Sequence, residues 1–155
     1  MTLIKSGTYP NKNADIGFHE FTYSIYAHPG RWQEAETVQM AYNLNIPLFV
    51  SVQKGREENI KRECQNIIPE SVIQINREEC FLETVKKSED GKDWIIRLYE
   101  NRNSRVNALI QTGFSLKKVE ECDLLERSLG EVMVDENSFT VLFKPYEIKT
   151  FRLIL

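Results

Sequence analysis

Residues 19–26 carry the first pattern along the chain that specifies an element. His19, Phe21, Tyr23 and Ile25 fall on one face of a two-residue period, and Glu20, Thr22, Ser24 and Tyr26 fall on the other, as side chains sort along a strand. The pattern predicts a strand that is at least half buried. Pro29-Gly30 breaks it. From Arg31 onward Trp32, Ala35, Val38, Ala41, Tyr42 and Leu44 recur at three- and four-residue steps, which predicts a helix near residues 31–44 with one apolar stripe. Pro47 stops its simple continuation. Residues 48–52, LFVSV, predict a short apolar strand. Residues 53–70 are polar and charged, with Ile60, Ile67 and Ile68 as their only aliphatic side chains, and read as a long surface connection.

Beyond this connection the period shortens again. Residues 72–75, 81–87, 93–99, 105–112, 116–121, 139–143 and 147–155 are short runs rich in β-branched and aromatic residues, each a predicted strand. Turn formers separate them, at Glu89-Asp90-Gly91, residues 101–104, Thr112-Gly113 and residues 135–138. Many short strands at this spacing predict an all-β antiparallel sandwich, with the helix near 31–44 as its exception. Phe151, Leu153 and Leu155 share one face, so the last strand is expected to dock into the core. Residues 1–16 read as an irregular lead-in, and residues 17–155 as a single β-sandwich domain.

Composition narrows the classes. The chain has 155 residues, 28% charged and 41% hydrophobic, with a formal net charge of −3. That length suits one domain with a normal core. The charge balance gives no support to a nucleic-acid or membrane-surface partner. Lys86-Lys87 and Lys117-Lys118 lie beside carboxylates, so they read as solvated strand edges, which also discourage edge-to-edge pairing. Cys64, Cys80 and Cys122 are odd in number and widely spaced, which suggests neither a disulfide framework nor a zinc ribbon and fits a reducing cytoplasm. No apolar run is long enough to cross a bilayer, and Met1-Thr2-Leu3-Ile4 is followed at once by Lys5, so no secretory leader is expected.

His19, Glu20 and His28 are the first candidates for chemistry, because imidazole and carboxylate together can bind a metal or move protons. Their spacing, H-E-x₇-H, differs from the helical HExxH of zinc proteases. On a strand His19 and Glu20 point to opposite sides, and His28 lies beyond its end. A hydrogen-bonded His within the sandwich and another in a turn is the plainer reading. No G-x-S-x-G and no glycine-rich phosphate loop is present. Arg97 and Glu100 could form an ion pair at a strand end or contact a domain that this chain lacks. Trp94 is expected to fold over its hairpin, with sugar stacking as the alternative.

Three ordered segments resemble a known family. G-x-HEFTYS-x-Y-x-HPG-x-W followed by AYNLN-x-PL, in residues 17–48, is similar to the C-terminal β region of class II alpha-mannosidases, glycoside hydrolase family 38, of the bacterial and cytosolic type. FLETVKKSEDGKDWIIRLYEN, residues 81–101, resembles a hairpin of that region. CDLLER-x-LGE, residues 122–131, and KPYEIKTFRL, residues 144–153, resemble its closing segments.

The resemblance implies a supersandwich-like, galactose mutarotase-like fold and a C-terminal fragment of a larger cytoplasmic enzyme. That enzyme would hydrolyse alpha-mannosidic bonds with retention, with a zinc ion and an aspartate nucleophile in an N-terminal catalytic domain that this chain does not match. No catalytic or metal residue is therefore carried onto this chain, no cofactor is expected in it, and the fragment alone is expected to be inactive. The implied partners are the missing catalytic domain and, through the parent enzyme, mannosides. Under the same resemblance His19, Glu20, Tyr23 and His28 are candidates for facing the cleft or the domain interface. A truncated domain should expose a large apolar patch, which could also pair two copies, so a homo-oligomer stays open. The alternatives are an independent carbohydrate-binding module that stacks a sugar on Trp32 or Trp94, or the same family acting on mannosylglycerate-like or phosphorylated mannosides.

Overall fold

A computed structural model describes residues 4–50 and 71–155. Among these residues one helix, α1 (Thr37–Asn45), precedes nine strands: β1 (Ile73–Ile75), β2 (Cys80–Lys87), β3 (Trp94–Glu100), β4 (Val106–Thr112), β5 (Lys118–Cys122), β6 (Ser128–Val132), β7 (Val134–Asp135), β8 (Ser138–Phe143) and β9 (Ile148–Ile154). They form two antiparallel sheets, a four-stranded one in the order β1-β4-β8-β7 and a five-stranded one in the order β2-β3-β9-β5-β6. The all-β sandwich with one helix is therefore the observed architecture. The predicted strands from residue 72 onward are all present within a few residues of their expected ends.

The period-two patterning explains the packing. Val106, Ala108 and Ile110 of β4 and Phe139, Val141 and Phe143 of β8 point inward from one sheet. Ile96 and Leu98 of β3, Val119 of β5, and Phe151 and Leu153 of β9 meet them from the other. Phe139 and Phe151 touch across the sandwich, with ring centroids 5.3 Å apart at a 60° tilt, a geometry aromatic pairs favour. Phe151 and Leu153 are fully buried, as expected for a docked last strand. The β2–β3 turn needs a left-handed residue, and Gly91 supplies it at φ 72°.

Two strands escaped the sequence reading. β6 runs Ser128-Leu129-Gly130-Glu131-Val132, and only Val132 is even partly covered. β6 is an edge strand, so burial leaves no alternation to read. β7 has two residues.

The expected N-terminal strands are not formed. Residues 18–28 have no regular secondary structure, and Phe21, Tyr23 and Ile25 are 47, 59 and 83% exposed. Alternation marks a segment suited to a half-buried pleat, but a strand exists only where a neighbour completes its hydrogen bonds, and among the described residues none pairs with this one. Leu48, Phe49 and Val50 are likewise exposed and irregular. The rest of that predicted strand, the connection at residues 53–70 and Cys64 lie outside the described residues. The helix begins later than its apolar period suggests, because residues 32–36 form turns. No helix among the described residues is long and apolar enough to cross a membrane.

Candidate functional site

Two loops at one end of the sandwich are positioned by a buried carboxylate. Glu100, the last residue of β3, is 0% exposed. It accepts the backbone N–H of Arg102 at 2.7 Å, the Ser104 hydroxyl at 3.0 Å and the backbone N–H of Tyr146 at 2.8 Å. Burial alone would raise its pKa, but the N–H groups of Tyr146 and Arg102 outweigh that and hold it below the ordinary glutamate value. Glu100 thereby fixes the β3–β4 loop at Arg102 and the β8–β9 loop at Tyr146. The predicted Arg97–Glu100 pair is absent. Arg97 Nε donates instead to Thr150 Oγ1 at 3.2 Å on the neighbouring strand, since successive odd and even positions of β3 face opposite sides.

The β1–β2 connection is tied to the same end. Leu109 N–H donates to Asn76 Oδ1 at 2.8 Å, Arg77 Nε donates to the Asn107 carbonyl at 3.2 Å, and Asn101 N–H donates to the Glu79 carbonyl at 2.9 Å. Glu78 and Arg102 form an ion pair of 3.1 Å between the two loops. The segment leading into α1 closes over them. Phe81 and Tyr99 are cross-strand partners with ring centroids 5.6 Å apart, and Tyr42 of α1 stacks on Phe81 at 4.2 Å.

Between α1 and these loops lies an open cleft of about 440 Å³. Trp32, Gln33 and Thr37 line one side, and Asn76, Arg77 and Arg102 line the other. Trp32 is 42% exposed. The Thr37 hydroxyl is covered yet has no hydrogen-bond partner among the described residues. Arg102 also lines a neighbouring hollow of about 290 Å³ with Arg31 and Glu34. The cleft holds an aromatic face, amides, guanidiniums and carboxylates, which suits binding through hydrogen bonds and stacking.

The sequence candidates lie elsewhere. His19 is exposed and its Nε2 is 2.8 Å from the Asp15 carbonyl, so it is not the half-buried sandwich histidine that the alternation predicts. Glu20 and Tyr23 are exposed. His28 is half-buried, with Nδ1 3.2 Å from the Pro29 carbonyl and its ring 5.3 Å from that of Tyr26. None of the four lines the cleft. Among the described residues no three His, Cys, Asp or Glu side chains come together as a metal site, so the donors present do not fit a zinc ion. Trp94 lies over an apolar crevice with Val72, Val85 and Phe114, which agrees with a hairpin tryptophan folded onto the sheet. Sequence reasoning missed Asn76, Arg77, Glu78 and Arg102. Their only sequence signal was the turn composition of NREE and NRN.

Residues 80–151 match the Glycosyl hydrolases family 38 C-terminal beta sandwich domain. The chain is 29% identical over 160 residues to Alpha-mannosidase 2C1 of Mus musculus, covering 100% of this chain and 15% of that protein. It is 32% identical over 161 residues to Alpha-mannosidase G of Dictyostelium discoideum, covering 99% and 14%. With Alpha-mannosidase of Saccharomyces cerevisiae the identity is 26% over 176 residues, covering 99% and 15%. The chain thus spans only 14–15% of the length of these relatives.

Proposed function

We propose that this chain, whose residues 80–151 match the Glycosyl hydrolases family 38 C-terminal beta sandwich domain, serves as the closing domain of a larger alpha-mannosidase of that family. The carrying observation is the coverage: nearly all of this chain aligns with about one seventh of each alpha-mannosidase. Retaining glycoside hydrolysis needs two carboxyl groups on either side of one bond. In this reading those groups, and the zinc ion that would hold sugar hydroxyls, belong to the remainder of the parent. The work of this chain is to complete the parent's fold and support its cleft, in a cytoplasmic enzyme.

The N-terminal segment is the proposed contact with that remainder. Phe18, Tyr23 and Ile25 are 91, 59 and 83% exposed, and several large apolar side chains left uncovered in one short segment support an interaction site there. His19, Glu20 and His28 accompany it as the polar members of the interface. The isolated chain, incubated with zinc and a chromogenic alpha-mannoside, is expected to show no turnover and no stoichiometric metal. Turnover with one bound zinc per chain would overturn the proposal.

A further inference from the structure

We propose that the cleft between α1 and the β1–β2 and β3–β4 loops is a sugar-binding site that takes a neutral pyranose ring. Its lining selects the ligand class. Pockets for apolar small molecules are walled mostly by hydrophobic side chains, whereas this one sets amides, guanidiniums and carboxylates beside an apolar surface of similar extent. Trp32 is the exposed aromatic on its wall. An indole offers a flat apolar face, and a pyranose offers a flat face of C–H groups between rims of hydroxyls.

The charges argue for a neutral ligand. Arg77 and Arg102 are matched within the lining by Glu36 and Glu78, and Arg102 is directly paired to Glu78 at 3.1 Å. No net positive field is left for a phosphate or carboxylate. The polar groups are also held in place before any ligand arrives. Among the described residues Arg77 spends only Nε, on the Asn107 carbonyl, and Asn76 spends its side-chain oxygen on the Leu109 N–H. The terminal nitrogens of Arg77 and the amide nitrogen of Asn76 remain as donors, and planar donors of this kind suit adjacent hydroxyls. The Thr37 hydroxyl, without a partner among the described residues, adds a further unsatisfied group on the opposite wall. Glu100 acts as a positioning residue, because its bond to Arg102 N–H sets the loop.

The volume of about 440 Å³ falls within the usual range for small-molecule sites and leaves room for more than one ring. The choice of a mannoside among pyranoses rests on the proposed function; the cleft itself does not depend on it.

The test is a titration of the 155-residue chain with methyl alpha-mannoside, methyl alpha-glucoside and methyl glucuronide, followed by amide and indole nitrogen–proton shifts. Saturable shifts of the Trp32 indole and the Arg102 amide, with a Kd of roughly 1 mM, are expected. They should vanish in Trp32→Ala, with the fold checked by circular dichroism, and persist in Trp94→Phe. Arg102→Gln should weaken binding by about tenfold. Shifts unchanged in Trp32→Ala, no saturation by about 100 mM of either neutral sugar, or tighter binding of the glucuronide would overturn the proposal. Equal binding of mannoside and glucoside supports the cleft while removing its link to mannosides. Turnover by the isolated chain would overturn the proposed function and leave the cleft standing.

Discussion

Glu100 at the end of β3 accepts the backbone N–H of Tyr146, 46 residues away in sequence, at 2.8 Å, so one fully buried carboxylate joins the β3–β4 and β8–β9 loops. Tyr146 sits at φ 57°, a left-handed conformation uncommon for a large residue, and the Glu100 bond helps hold it there. Glu100→Gln keeps the shape but loses the charge. It should destabilise the chain by about 2 kcal/mol, and Glu100→Ala, which strands the buried donors, by about 3 kcal/mol. Because the folded-state pKa is depressed, the stability it contributes is full above the unfolded value of about 4.3 and is lost as pH falls through the folded value. Urea unfolding across acidic pH should therefore show a steeper loss in the parent chain than in Glu100→Gln.

The β2–β3 turn carries a second acid-sensitive lock. Asp90 accepts the Ser88 hydroxyl at 2.6 Å and the Lys92 N–H at 3.2 Å, and pairs with Arg152 at 2.8 Å. The Ser88 hydroxyl, then the Lys92 N–H and Arg152, bring its pKa down to about 2. The turn should hold its conformation from neutral pH to below the ordinary aspartate value of about 3.9, and loosen only as pH falls toward 2. Ser88→Ala should move the Asp90 titration upward, read from the side-chain carboxyl carbon shift. An unchanged midpoint would show that the hydroxyl is not the main influence.

The sandwich was legible wherever side chains alternate between core and solvent. β4 buries Val106, Ala108 and Ile110 while Asn107 and Gln111 face out, and that contrast is written in the residues. Edge strand β6 lacks the contrast and stayed hidden. Residues 19–26 have the alternation but, among the described residues, no partner strand, so the same rule that found β4 misplaced them. The cleft was the least legible feature. Arg77, Glu78 and Arg102 come from two separate turns and meet only because Glu100 and Asn76 anchor those turns, and local sequence does not encode that meeting. Trp32 was singled out from the sequence as a stacking alternative, and the structure places it on the cleft wall.

Cysteine reactivity should report folding. Cys80 and Cys122 are free and buried. Burial, with Glu100 adding to it, pushes the Cys80 thiol up to about 12, and burial likewise raises Cys122. At pH 8 a pKa near 12 leaves about one Cys80 thiol in ten thousand as the reactive thiolate. Peptide mapping after iodoacetamide treatment should find Cys80 and Cys122 unlabelled in the folded chain and fully labelled in urea. Native labelling of Cys80 at the rate of a free thiol would contradict its place in the core.

The two apolar surfaces of the chain should answer mutation in opposite ways. Phe151 is fully buried against Phe139, and Phe151→Ala should cost about 3–5 kcal/mol, the transfer energy of the ring plus its cavity. Phe18, 91% exposed, and Ile25, 83% exposed, have little to lose in the isolated chain. Replacing both with Ser should change stability by no more than about 0.5 kcal/mol per site while lowering dye binding to exposed apolar surface and raising solubility. In the longer parent enzyme the same pair should become costly, because the proposed interface would bury both side chains. The contrast between the two settings is the decisive measurement: a double variant equally harmless in chain and parent would remove residues 18–25 from the interface.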